Sequence, residues 1–286
     1  MFHGDALELL GQYPLTRIKG GVQLILTSPP FVLNRKKRYG NLRGEEYIAW
    51  LAGFATLFRE CLADDGSVVV ELGNAWEPGS PTMTTVAMEA LLAFREAGNF
   101  HLCQEFIWYN PARLPTPAQW VAVERIRVKD AFTRIWWLSG SRRPKADNRR
   151  VLQAYSSSML GLLRRGRYNP GRRPSEHVIG KTSFLTNNAG SIPANVLRFA
   201  NTSSRDEYQK FCRNRGLTPH PARMPRQMAE FFIRFLTAEN DLVLDPFAGS
   251  NTTGAVAEQL GRRWVAIELA LKYADSSHSR FARRTT

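Results

Sequence analysis

Leu242-Val243-Leu244-Asp245-Pro246-Phe247-Ala248-Gly249-Ser250-Asn251-Thr252-Thr253-Gly254 sets an apolar triplet before a loop of small residues, with a helix predicted over 252–260. The triplet reads as a buried strand, and open α/β sheets bind ligands in loops at the carboxyl ends of their strands. Gly249 lets a ligand approach the backbone closely. Asn251, Thr252 or Thr253 can cap the helix, whose N-terminus favours a carboxylate or a phosphate. An ordinary strand-to-helix turn would read much the same, so the surroundings decide.

Downstream, Trp264-Val265-Ala266-Ile267 is a further strand, and Glu268 follows it 23 residues after Asp245. An acid at about 20 residues' remove caps a ribose diol in mononucleotide-binding units. The loop has no GxGxxG for a dinucleotide pyrophosphate and no Gly-Lys-Ser/Thr ending for ATP. Adenosine with an amino-acid tail and no phosphates, as in S-adenosylmethionine, fits these residues best.

Upstream, strands and helices alternate. Strands are expected at 24–26, 67–72, 106–109, 132–138, 242–244 and 264–267, and helices at 45–63, 82–97, 222–237, 252–260 and 270–283. That alternation predicts an α/β fold with a mainly parallel sheet covered on both faces. The pattern breaks between about 140 and 220, where Arg, Ser, Asn, Gly and Pro dominate. A bare loop of that length is unusual, so a small irregular subdomain is expected there. Three parts follow: 1–140, 141–219 and 220–286.

The strand at 24–26 leads into Ser28-Pro29-Pro30-Phe31, a hydroxyl, rigid backbone and an aromatic ring at one place. Proline fixes φ and pushes its predecessor towards extended geometry, so the carbonyls of Ser28 and Pro29 can point outward as acceptors. Such a group suits a flat base bearing an exocyclic amine, although a plain rigid turn would also explain it. The basic loop 35–44 carries two glycines that would allow closure over ligands, or simply a solvated loop.

The net charge of +14 is localised. Residues 141–226 hold 18 Lys and Arg against 4 Asp and Glu, and the remainder is balanced at 21 of each. Concentration on this scale points to a polyanion. Candidate contacts are Arg142, Arg143, Arg164, Arg165, Arg172, Arg173, Arg213 and Arg215, most on phosphate and a minority on guanine edges. The three cysteines, Cys61, Cys103 and Cys212, form no CxxC pair, which suggests a reducing cytoplasm and neither a disulfide framework nor a zinc site. No apolar run reaches roughly 18 residues, so no membrane span is expected. No metal is expected, nor a signal peptide.

Taken in order, Gly4-Asp5-Ala6, Thr27–Phe31, Phe106–Pro115, Arg127-Val128-Lys129-Asp130, Gly190-Ser191-Ile192-Pro193, His220–Pro225 and Asp245–Gly254 resemble the β-class amino-methyltransferases of DNA. The SPPF-type N4-cytosine enzymes, with the PvuII-type modification methyltransferases among them, share this order, and the likeness covers nearly the whole chain. The resemblance implies a seven-stranded, Rossmann-like, circularly permuted sheet with an inserted basic target-recognition region. It implies that Phe247 packs on the adenine of S-adenosylmethionine, that Asp5 contacts the adenine edge and that Glu268 binds the ribose. Asp245 and Asn251 belong to the same loop, Ser250 and Thr252 would face the methionine tail, and His220 with Pro221 would close that end. Where the relatives usually have Phe, this chain has Met224.

The implied reaction is methyl transfer to the N4 amine of a cytosine flipped out of duplex DNA, in a bacterial cytoplasm and associated with the nucleoid. Ser28 and the Pro29 carbonyl would accept the two N–H bonds, Pro30 would keep the turn rigid, and Phe31 would hold the ring. No general base with an evident partner is required. A restriction endonuclease acting on the same site would be the companion enzyme, without stable binding. Alternatives are an adenine-N6 methyltransferase, a catalytically silent DNA-binding subunit, and methylation of RNA or protein. Adenine relatives generally carry Asp or Asn before Pro-Pro, and cytosine-C5 enzymes need a cysteine after proline, which is absent here.

Overall fold

The computed structural model describes residues 1–31, 42, 44–201 and 206–281. The loop expected at 35–44 falls outside these residues except for Leu42 and Gly44. The described chain divides into two units, one of Met1–Ala146 with Asn195–Thr286 and one of Asp147–Ala194.

The larger unit is built on an eight-stranded sheet. In chain order it contains β1 (Phe2–His3), α1 (Ala6–Leu10), β2 (Val22–Thr27), α2 (Gly44–Cys61) and β3 (Leu62–Leu72). After these come α3 (Val86–Ala97), β4 (His101–Tyr109) and β5 (Phe132–Ser139). The smaller unit supplies α4 (Ser157–Arg165), β6 (Gly171–Arg172) and β7 (Val178–Ile179). The chain then returns through β8 (Val196–Arg198), α5 (Glu207–Asn214), α6 (Arg226–Leu236), β9 (Leu242–Asp245), α7 (Thr252–Gln259), β10 (Arg263–Glu268) and α8 (Leu271–Ser277).

The spatial order is β1-β10-β9-β2-β3-β5-β4-β8. Pairing is parallel except on either side of β5, which runs antiparallel to β3 and β4. A parallel neighbour would need a crossover back over the sheet. The 110–131 connection stays at one edge, so β5 returns antiparallel. Among the described residues the sheet has eight strands where the resemblance implied seven: the six expected from the sequence, with β1 and β8 added at the edges by two and three residues. β9 and β10 come last in sequence yet lie between β1 and β2, which is the expected permutation.

Alternation along β2 and β3 explains the layers, since successive side chains face opposite sides of a sheet. Val22, Ile25, Val68, Val70 and Leu72 pack with Phe54, Phe58 and Phe94 from α2 and α3. Leu24, Leu26 and Val69 pack with Met228, Phe232, Ile233 and Val256 from α6 and α7. The helix expected at 222–237 starts only at Arg226, since Pro225 caps it from extended geometry. The last helix ends at Ser277, shorter than the 270–283 expected, and passes into a single 3-10 turn, His278–Arg280.

The smaller unit is nearly coreless. None of the nine residues of α4 is buried. Ser156 caps its first turn, Gly166 ends it in the left-handed region, and Arg164 and Arg165 stand exposed in its last turn. β6 and β7 form a two-stranded ribbon, with Arg172 paired to Glu176 at 2.9 Å and Arg173 donating to the Asn169 carbonyl at 2.6 Å. Arg142, Arg143, Arg213 and Arg215 belong to the larger unit and are exposed.

Candidate active site

The carboxyl ends of β1, β2, β3, β9 and β10 share one edge, which brings Asp5, Ser28, Glu71, Asp245 and Glu268 to the same side of the sheet. One hydrogen bond joins the two motifs that are most distant in sequence. Thr27 Oγ1, next to Ser28, donates to Asp245 Oδ1 at 2.8 Å. The same carboxylate accepts from the Phe247 N–H at 3.1 Å and from Thr253 Oγ1 at 2.7 Å. Asp245 is buried, and burial pushes its carboxyl up to about 6 despite these donors. Its oxygens are therefore turned inward, where they tie the base segment, the loop and α7 together.

The loop beyond Asp245 is held by backbone geometry. Gly249 has φ of +52°, and a Cβ there would lie 3.0 Å from the His220 ring, so the His220 segment rests directly on it. His220 also meets Tyr273 edge-on at 4.6 Å, while its neighbour Pro221 is exposed. Asn251 adopts the left-handed region and caps α7 by accepting from the Gly254 N–H at 3.1 Å. Ser250 and Thr252 place their hydroxyls 3.3 Å apart. Glu268 accepts from the Gly249 N–H at 2.8 Å and the Ala270 N–H at 2.9 Å, and burial raises its pKa. A carboxylate in that place takes the amide a phosphate would need, yet each oxygen keeps a lone pair for a hydroxyl. The residues thus fit adenosine with an amino-acid tail better than any polyphosphate.

Asp5 caps α1 by accepting from the Leu7 N–H at 2.8 Å, which leaves its other oxygen unspent on that bond. Gly4 donates to the Glu268 carbonyl at 3.1 Å, which brings the Asp5 segment beside Glu268. Phe247 is half-buried against Phe54 at 5.0 Å and Trp50 at 5.6 Å, both on α2.

At the other motif, Ser28 is half-buried, Pro29 buried, and Pro30 and Phe31 half-buried. The Phe31 ring covers Gly73, where an added Cβ would come within 2.4 Å of it. The side-chain nitrogens of Asn74 and Trp76 are buried without a partner among the described residues. Trp108 is a packing residue, stacked on Phe199 at 5.8 Å with its indole N–H donated to the Phe199 carbonyl.

The sequence reading missed Glu71. This carboxylate is buried at the end of β3, where the Ser28 hydroxyl acts on it. Burial pushes its pKa up to about 7, with the Ser28 bond and the Arg113 charge pulling the other way. Glu71 is therefore a candidate proton acceptor beside Ser28 that the motifs did not name. One acid in the apolar run Val68-Val69-Val70-Glu71-Leu72 was the available signal, since a buried carboxylate is costly unless partnered.

Arg280 was missed as well. Its guanidinium donates to the Ser250 carbonyl at 2.5 Å and approaches the Ser250 hydroxyl at 3.0 Å. It lies over the Tyr208 ring at 4.6 Å and 3.9 Å from Asp206. Among the described residues, no group of three or more His, Cys, Asp or Glu is arranged to hold a metal, and no helix is long and apolar enough to cross a membrane.

Comparison with known proteins agrees with this geometry. Residues 22–279 match the DNA methylase family model. The chain is 44% identical over 283 residues to the type II methyltransferase M.PvuII of Proteus hauseri, spanning 98% of this chain and 83% of that protein. A solved PvuII DNA methyltransferase (cytosine-N4-specific) superposes with a TM-score of 0.78 at 37% identity, over 100% of this chain and 87% of that one. A Thermus thermophilus protein solved with S-adenosyl-L-methionine shares the fold at a TM-score of 0.57 and 21% identity, over 99% and 94% of the two chains.

Proposed function

The chain belongs to the N6/N4 DNA methylase family, and from that premise we propose how its residues carry out cytosine-N4 methylation as a type II modification methyltransferase. The observation that carries the reading is the Thr27–Asp245 hydrogen bond at 2.8 Å, which fixes the base segment against the cofactor loop.

S-Adenosylmethionine, when bound, supplies an electrophilic methyl group. Phe247, backed by Trp50 and Phe54, gives the adenine an apolar wall, and the second oxygen of Asp5 receives its amine edge. Glu268 accepts the ribose hydroxyls with its remaining lone pairs. Ser250 and Thr252 face the methionine tail, and His220 and Pro221 close over Gly249. Asp245 and Asn251 act through the loop they shape, since their side chains are spent on protein partners.

Cytosine's exocyclic nitrogen is a weak nucleophile because its lone pair is delocalised into the ring. Ser28 would give its one proton to Glu71, on whose carboxylate its hydroxyl acts, so its oxygen is left to accept from the amine. With the Pro29 carbonyl taking the second N–H, the nitrogen is drawn towards a pyramidal shape. Phe31, set against Gly73, holds the ring face, and Pro30 keeps the turn rigid. The proton that the nitrogen must shed passes through Ser28 to Glu71, whose pKa near 7 suits it to accept at neutral pH. Alignment supplies most of the remaining acceleration.

The DNA is read as duplex, with the target base extruded, because the amine is out of reach inside a base pair. The basic stretch 141–226 tracks phosphates and reads the site, and a restriction endonuclease would share that site without binding this chain. Ser28→Ala should remove methyl transfer while S-adenosylmethionine still binds; equal loss of both would break the division into two sites.

A further inference from the structure

Among the described residues, the connection between β4 and β5 reverses the usual partition of polar and apolar groups. Leu114, Val123, Ile126 and Val128 are 75%, 68%, 59% and 86% exposed. Arg127, by contrast, turns inward. It donates to the Pro81 carbonyl at 2.8 Å, pairs with Asp130 at 3.2 Å and lies 5.8 Å from the Trp76 ring. Asp130 N–H bonds the Thr116 carbonyl at 3.0 Å, and Lys129 reaches the Arg113 carbonyl at 3.2 Å. Arg125, exposed between Val123 and Ile126, sits at φ of +58°. The aliphatic tip is therefore held out by a braced scaffold.

Its position gives the tip a partner. The loop leaves β4 at the edge that carries Ser28 and Glu71, and Arg113 from the same loop acts on the Glu71 carboxylate. Cationic Arg125 and Lys129 interleave with the aliphatic groups and outnumber the one exposed acid among them, Glu124, so the tip is net positive. A nucleic-acid duplex offers phosphates to the cations and a base stack to the aliphatics. Apolar side chains pushed between base steps unstack them, and extruding a base requires such unstacking.

We propose that Val123, Ile126 and Val128 form a wedge that enters the DNA beside the target cytosine, with Arg125 and Lys129 on the flanking phosphates. The wedge lies outside the 141–226 basic stretch and helps to open the pair, so it assists extrusion and not the chemistry at Ser28. It rests on the reading above that an extruded cytosine is the target.

The test is single-turnover methylation by an I126S/V128S variant on two duplexes, one fully paired and one with the target cytosine opposite an abasic site. The fully paired duplex should slow by at least about tenfold. The abasic-opposed duplex, which needs no pair broken, should be methylated within about threefold of the wild-type rate. That second rate is also the control for folding. Equal slowing on both duplexes, or none on either, overturns the wedge. So does a wild-type dimer that the variant converts to monomer without change in the paired-duplex rate, which would make the surface an interface between copies. Failure of the underlying reading shows separately, as wild-type rates in Ser28→Ala.

Discussion

Replacing Glu71 with Gln should make the protein both more stable and slower, and the two effects have one cause. The carboxylate sits fully buried at the end of β3, and burial raises its pKa from the ordinary 4.5 to about 7. A group whose folded value is raised gives stability that is fully present below 4.5 and lost as pH rises through 7. At about 1.36 kcal/mol per pH unit, that loss is roughly 3 kcal/mol by pH 8. Glutamine carries no charge to desolvate and still accepts from Ser28, so E71Q should melt higher than wild type at pH 8 and similarly at pH 4.5. Activity runs the other way, because proton acceptance needs the ionised form. Wild-type kcat/KM should rise roughly tenfold from pH 6 to pH 8, following the ionised fraction of a group near 7. The variant should lose that rise and fall by about a hundredfold or more, the range for a missing general base. Single-turnover rates and thermal melts across pH 5–9 measure both. An E71Q enzyme that keeps a step near pH 7, or keeps wild-type speed, refutes the proton path from Ser28.

Arg280→Ala should weaken S-adenosylmethionine binding by roughly ten- to a hundredfold, the range for a charged hydrogen bond, with duplex affinity unchanged. Lysine should restore it only in part, having no planar fork for the two Ser250 contacts; calorimetry on the three proteins decides. Gly249→Ala combines a left-handed φ with a contact on the His220 ring, and should cost about tenfold or more in cofactor affinity, read by the same titration. Duplex affinity should fall steeply with salt, and R164Q/R165Q should make the slope of log K against log salt shallower by about two, as filter binding would show. A flat dependence removes the basic stretch as the contact surface.

The parts legible in sequence were those with a strong local pattern. Val22–Thr27 and Leu242–Asp245 are apolar runs next to Pro and Gly punctuation, and both became central strands ending where the motifs begin. The edge strands β1 and β8, at two and three residues, were too short to show a period. Their pairing is set by tertiary contact and not by propensity. Trp50, within the helix expected at 45–63, carried no separate signal, and only the packing of α2 shows that it backs Phe247. Glu71 was hidden in an apolar strand, where it needed to be read as an anomaly. Arg280 had no local mark, because its role depends on Ser250, 30 residues away in sequence.

The central claim is that Ser28 and the cofactor loop, joined through Thr27 and Asp245, present a cytosine amine for methylation. The direct measurement is to incubate DNA with the protein and methyl-labelled S-adenosylmethionine, digest it to nucleosides and identify the labelled base by mass spectrometry. The label should appear as N4-methylcytosine with wild type and vanish with Ser28→Ala. Label in N6-methyladenine or 5-methylcytosine, or undiminished label in the variant, would contradict the account.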